Sequence, residues 1–356
     1  MKIKWKLGRP AVPPMAVWIA LIAMLTVILS GLVVKQIKRH PGPPPSAAEK
    51  VEPPSSKAST GTDSLTEAPS MIIPVYLSKE KRIDKVTLED YVRGVVAGEM
   101  PIDFELEALK AQALAARTYM IRRLAEQDFS GVPDKEAWVT DTVSHQAYLT
   151  LDYLKTRWTG EAYERNMDKL NRAVNETRGM VLTYEGKPIN ATFFSTGNGY
   201  TENSEDYWGV YVPYLRSVKS PWDEASPEYR STAVFSLKEF ASRLGLPSTV
   251  SAASAGNGFK VQGYTEGHRV SKATVAGRTF SGREIREKLG LRSSQFQWKV
   301  KGTNIEFTTF GYGHGVGMSQ WGANAMAKEG RTAEEIVKYY YTGISLEKDS
   351  AYLTMK

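Results

Sequence analysis

The chain has 356 residues, 42% of them hydrophobic, with no cysteine and a formal net charge of +7. That length can hold more than one core. The absence of cysteine is compatible with export without requiring it. Residues 1–40 hold seven of the 46 Lys and Arg and no acid, so 39 basic residues face 39 acidic ones in the remainder. The positive balance therefore belongs to the N-terminus and lends no support to a basic nucleic-acid face on the rest of the chain.

Residues 15–34 form an uncharged apolar run, Met15-Ala-Val-Trp-Ile-Ala through Gly31-Leu-Val-Val34, long enough to cross a bilayer. Lys2, Lys4, Lys6 and Arg9 precede it, Lys35, Lys38 and Arg39 follow it, and no small-x-small cleavage site closes it. The pattern predicts a cytoplasmic basic tail over 1–14 and an uncleaved signal anchor over 15–34, oriented by a narrow charge bias. A Pro/Ser-rich spacer over 35–70, opening Pro41-Gly-Pro-Pro-Pro45, would hold the following domain off the membrane.

Folded structure is expected from Met71-Ile-Ile-Pro-Val-Tyr-Leu77, a short strand. Thr87-Leu-Glu-Asp90 reads as a capping box opening a helix with an apolar stripe of Val92, Val95 and Val96, which Met100-Pro101 ends just after Glu99. A carboxylate at the negative end of the helix dipole costs about 0.3–1 kcal/mol, so something other than helix stability keeps Glu99 there. In the next helix Leu106, Leu109, Ala113, Met120, Ile121 and Leu124 gather on one side with Arg117 among them. An arginine there pairs with a carboxylate, faces a polar cleft, or snorkels from the core's edge. Lys110, seven residues back, shares its side.

Further on, the pattern predicts a helix over 161–178 and a hairpin of 180–184 with 189–194 about Glu185-Gly-Lys-Pro188. Ser195-Thr-Gly-Asn-Gly-Tyr-Thr-Glu202 then leads into Tyr207, Trp208, Tyr211 and Tyr214. Polar groups interleaved with aromatics suit a sugar, which stacks one face and hydrogen-bonds its hydroxyls, though a loop packed by its own tyrosines reads the same way. Ser195 lacks the Gly-x-Ser-x-Gly setting of a hydrolase nucleophile. Residues 223–305, with a helix near 236–244, strands at 259–264 and 270–275 and a capping box at Ser281-Gly-Arg-Glu284, read as a smaller inserted subdomain. The catalytic core is then 71–222 with 306–350, in an α+β fold whose cleft lies between the first two helices and two glycine-bearing loops.

The second such loop, Gly311-Tyr-Gly-His-Gly-Val-Gly-Met-Ser-Gln-Trp-Gly322, fits no nucleotide fingerprint. Its glycines let backbone amides approach a ligand, with His314, Ser319, Gln320 and Trp321 as donors and stacking face. A tight strand-to-helix turn with His314 hydrogen-bonded inside it accounts for the same residues. His145, His268 and His314 are not spaced as ligand pairs, so neither a metal nor another cofactor is expected. His145 reads as structural or cleft-lining.

Four motifs in order, Glu89–Tyr119, Asp141–Tyr148, Ser195–Trp208 and Gly311–Gly322, closely resemble the family of stage II sporulation protein D and the amidase enhancers, over most of residues 71–345. The resemblance implies a membrane-anchored lytic transglycosylase on the extracytoplasmic side, in the septal space during spore engulfment. Its substrate would be peptidoglycan strands stripped of stem peptides. Stage II sporulation protein P, an amidase, and protein M are the implied partners. The family's catalytic glutamate matches Glu99, and its cleft residues match Lys110, Arg117, Ser195, Tyr200, Glu202 and His314. Gln112, Thr196, Tyr211 and Gln320 stand beside them and complete the expected substrate-binding set. Some relatives hold zinc through cysteines that this chain lacks, so the metal is not carried over. The rival expectation is a glycan-binding enhancer of an amidase that cleaves nothing itself.

Overall fold

The computed structural model describes residues 71–247, 255 and 258–353. The expected tail, span and spacer lie outside them. Among the described residues no helix is long and apolar enough to cross a membrane. The fold is a mixture of helix and sheet of the α+β kind, and the described residues belong to one compact unit with two hydrophobic cores.

Strands β1 (Ile72–Leu77) and β2 (Arg82–Thr87) pair antiparallel. Helix α1 (Leu88–Glu99) follows, with the Thr87 hydroxyl accepting from the Asp90 N–H. The return bond of a full capping box is missing because the Asp90 carboxylate binds Arg93 at 2.7 Å instead. Helix α2 (Leu106–Glu126) is the centre of the first core. Its alanines let α1 and the later segments Gly160–Asn175 and Met180–Tyr184 pack closely on it. Ala108, Ala111, Ala113, Ala115 and Ala116 are all buried along with Leu109, Met120 and Ile121 of the expected stripe, while Leu106 and Leu124 at its ends are partly buried. A helix apolar on all sides is a core helix, so Arg117 lies inside the core and cannot snorkel from its edge.

The short strand β3 (Val139–Thr140) joins β1 in parallel, and α3 (Leu151–Arg157) and α4 (Gly160–Asn175) lead to β4 (Met180–Tyr184). The predicted hairpin is shorter than expected: β5 is Lys187–Pro188 only. The residues beyond it leave the sheet to form β6 (Phe193–Phe194) and the short helix α5 (Ser204–Trp208). A 3₁₀ turn at Pro221–Ala225 precedes the second core.

That core lies between the sheet of β7 (Arg230–Ser236), β11 (Phe296–Lys301) and β12 (Asn304–Phe310) and the sheet of β8 (Phe259–Tyr264), β9 (Val270–Val275) and β10 (Arg278–Ser281). Helices α6 (Leu237–Leu244) and α7 (Gly282–Leu289) complete it, α7 with the full capping box between Ser281 and Glu284. Phe307 meets Phe240, Phe259 and Phe296 edge-on or tilted inside it, an arrangement their ring quadrupoles favour. The chain then re-enters the first core through β13 (Met318–Ser319), α8 (Gln320–Lys328), α9 (Ala333–Tyr340) and β14 (Ser345–Lys348), which pairs with β4.

Candidate active site

The end of α1 is prepared by two glycines one turn apart. The segment Ala147–Leu149 lies against the helix at Gly94 and Gly98. A Cβ at Gly98 would stand 2.6 Å from the Ala147 carbonyl oxygen, and one at Gly94 would stand 2.3 Å from the Tyr148 ring. This close seat lets the Ala147 N–H donate to Glu99 Oε1 at 2.6 Å. On the opposite side Gln320, the first residue of α8, donates from Nε2 to the Glu99 backbone carbonyl at 3.0 Å and to Gln112 Oε1 at 3.4 Å. Burial pushes the Glu99 carboxyl above the usual range, and the bonds from Ala147 and Gln320 only partly oppose this.

Glu99 opens on a cleft of about 280 Å³ lined also by Tyr119, Val143, His145, Gln146, Asn190, Ala191, Thr192, Phe193 and His314. Glu99 is the single carboxylate of that lining.

The far wall is two loops joined through their backbones. Strand β6 runs parallel to β13, Thr196 and Tyr312 exchange N–H···O bonds at 3.0 and 2.7 Å, and the Glu202 N–H reaches the Gly315 carbonyl at 2.7 Å. Gly315 sits at φ +87°, where a Cβ would lie 2.3 Å from the Arg269 guanidinium. Arg269 is buried there, 3.7 Å from the equally buried Glu202, whose Oε2 also accepts from the Thr265 hydroxyl at 2.7 Å.

His314 satisfies both readings of its loop. Its Nδ1 accepts from the Val316 N–H at 3.0 Å inside a turn that leads to α8, while the ring also lines the cleft among Phe194, Tyr207 and Trp208. Burial first, then the charges of Arg286 and Arg269, pull its pKa down to about 3, so the imidazole is neutral and does no acid–base work near neutrality. The linkage has a definite sign. The unfolded chain takes up this proton below about 6.5 and the folded one only near 3, so the stabilisation is present above 6.5 and lost as pH falls. His314→Gln should therefore flatten the acid limb of thermal stability, which in the native chain falls by up to about 1.4 kcal/mol per pH unit over that window. Unchanged acid limbs in scanning calorimetry would contradict this assignment.

The expected site residues divide into groups. Glu99 and His314 share the cleft, and Gln112 and Gln320 lie behind Glu99. Arg117 is fully buried away from the lining, its Nε and Nη2 holding Glu89 at 3.1 and 2.6 Å, with further bonds to Thr177 Oγ1 and the Val174 and Met180 carbonyls. Lys110 bridges Glu107 and Glu176. Buried Thr196 bonds to Ser226, and Ser195 braces α8 through its carbonyl, which accepts from the Trp321 N–H at 3.1 Å. Tyr200 lies tilted against His268, ring centres 4.2 Å apart, beside a separate depression with Lys219 and Glu224. Exposed Tyr211 lies under the Arg216 guanidinium. None of these lines the cleft about Glu99.

The cleft residues the sequence reading missed include Tyr119, Gln146 and Thr192. Tyr119 lies seven positions, two helical turns, after Gln112, a spacing that puts both on one face of α2. His145 does line the cleft, with its ring nitrogens bonded to Thr140 Oγ1 and to the Ser130 carbonyl.

A family profile described as SpoIID, stage II sporulation protein, matches residues 76–184. The chain is 48% identical over 306 residues to stage II sporulation protein D of Bacillus subtilis, an alignment covering 86% of this chain and 87% of the relative. The chain belongs to the SpoIID family. The stage II sporulation protein D of Bacillus amyloliquefaciens is also 48% identical, with 82% of each chain covered. A more distant relative, 29% identical over 72% of this chain and 40% of its own length, is the amidase enhancer of Bacillus subtilis. The segment matched by the SpoIID profile carries Glu99, Tyr119, His145 and Gln146. The far wall with His314 lies outside it.

Proposed function

We propose that this SpoIID-family chain is a lytic transglycosylase that cleaves the MurNAc–GlcNAc bond of peptide-stripped glycan strands, with Glu99 as acid and then base. The observation that carries the reading is one desolvated carboxyl in a cleft of mixed polar and apolar lining with no second carboxylate among the lining residues. Glycosidases that use water or a covalent intermediate need two carboxylates at a set separation. A transglycosylase needs one. Glu99, whose protonated form burial favours, gives its proton to the glycosidic oxygen as the bond to C1 breaks. The MurNAc C6 hydroxyl closes on C1, and its proton returns to the Glu99 carboxylate. No water is consumed, the glutamate is restored, and a 1,6-anhydro end results. Because Ala147 occupies Oε1, the reacting proton is carried by Oε2.

In this reading residues 71–222 and 306–350 form the catalytic core and 223–305 an insertion that supports its far wall. The apolar run at 15–34 anchors the chain in the cell membrane with the cleft outside the cytoplasm, at the engulfing septum. Stage II sporulation protein P would then supply stripped strands, with protein M as a membrane partner. A second reading follows from the relative named amidase enhancer: the cleft holds a strand and stimulates an amidase without cutting. Mass spectrometry of products from peptide-free peptidoglycan separates the two. Anhydro ends released by the purified chain are the expected result. Reducing ends would mean hydrolysis, and intact strands with faster turnover of an added amidase would mean the enhancer role.

A further inference from the structure

We infer that Gln146 reads the acetamido group of the bound amino sugar, its Nε2 donating to the acetamido carbonyl oxygen. This deepens the glycan reading above and rests on it. Gln146 is 2% exposed, yet it lines the cleft beside Glu99. Its Oε1 accepts from the Tyr91 hydroxyl at 3.1 Å. Tyr91 is fully buried in the core, stacked on Tyr148, and burial holds its phenol protonated.

That hydroxyl has no other acceptor among the described residues. Turning the carboxamide over would leave a buried O–H unpaired, so the orientation is fixed by the cost of the alternative. Nε2 is left without a partner among the described residues, and it is the polar atom Gln146 has to offer the cleft. A carboxamide nitrogen only donates, so it selects an acceptor. A sugar hydroxyl can serve either way, whereas the carbonyl of an acetamido group only accepts.

The same group carries a methyl, and the lining supplies apolar neighbours for it in Ala191, Phe193 and Val143. Val143 is 88% exposed at the rim, with nothing in the fold covering it. Donor and apolar surface together match an acetamido group better than a plain hydroxyl. The Ala147 N–H, on the next residue, holds Glu99, so one short segment would fix both the sugar and the acid that protonates its glycosidic oxygen.

The test is binding, read apart from cleavage. The full-length chain is titrated with N-acetylglucosamine oligomers and with fully de-N-acetylated oligomers of the same length. The native chain should prefer the acetylated series, and Gln146→Leu and Gln146→Glu should each reduce that preference by about fivefold to tenfold, the worth of one such bond in a desolvated site. Equal binding of both series by the native chain, binding of neither, or an unchanged preference in the folded variants overturns the inference.

If both variants fail to fold, the native chain still decides. Its Gln146 side-chain amide resonance must move on adding the acetylated oligomer and stay in place with the other. Failure of the transglycosylase reading shows separately, as absent anhydro ends with the binding preference intact.

Discussion

Glu99→Gln should lower the release of anhydro ends by about 10²–10⁴-fold, the usual contribution of one positioned acid–base group. The substitution keeps the shape and the bond from the Ala147 N–H but removes the proton that is given and taken back. Stability should move the opposite way. Burial raises the Glu99 carboxyl in the folded chain, so the folded state favours the protonated form. That contribution is complete below the ordinary carboxylate range and fades as pH rises through the raised value. The amide is neutral throughout. The variant should therefore melt at or above the native temperature near neutrality, and the two curves should converge in acid. An inactive variant that also melts lower at neutral pH would show that Glu99 holds the fold together, and a fully active one would end the proposed mechanism.

Arg117→Ala should cost about 3–5 kcal/mol of folding stability, the usual penalty for removing one partner of a buried pair. The substitution strands Glu89 beside the core and removes the guanidinium bonds to Thr177 Oγ1 and to the Val174 and Met180 carbonyls. Arg117→Lys should recover little, because an ammonium cannot reproduce the two-pronged contact with Glu89 or reach the carbonyls together. Denaturant midpoints measure the loss, and glycan affinity per folded molecule should stay at the native level. A variant of native stability that no longer binds glycan would instead place Arg117 on the substrate.

Local signals in the chain reach far into this site. The helix break after Glu99, the capping threonine, the capping box at Ser281 and the glycine-rich run all appear where the pattern puts them. The misplaced carboxylate was visible because it opposes the helix dipole, a purely local conflict. Arg117 was legible as an anomaly, and its pairing with Glu89 was one of the alternatives open to it. What remained hidden depends on pairing at long range. Gly94 and Gly98 look like weak helix residues until the segment at Ala147–Leu149 is laid across them. Residues 189–194 look like the second arm of a hairpin because β13, their partner in β6, lies more than a hundred residues further on. Gln146 carries no pattern of its own. Its meaning comes from the Tyr91 hydroxyl beneath it, 55 positions away.

The seat of Arg269 beneath Gly315 imposes an order on the making of this protein. Glu99 leaves the ribosome early, whereas the residues from His314 to Gln320, which complete the far wall of its cleft, come some two hundred residues later. They settle against a guanidinium carried between β8 and β9. A chain cut short before His314 carries Glu99 but neither the Gln320 carboxamide that braces its backbone carbonyl nor the His314 side of the cleft. The pocket around Glu99 is thus completed only when the polypeptide is almost finished.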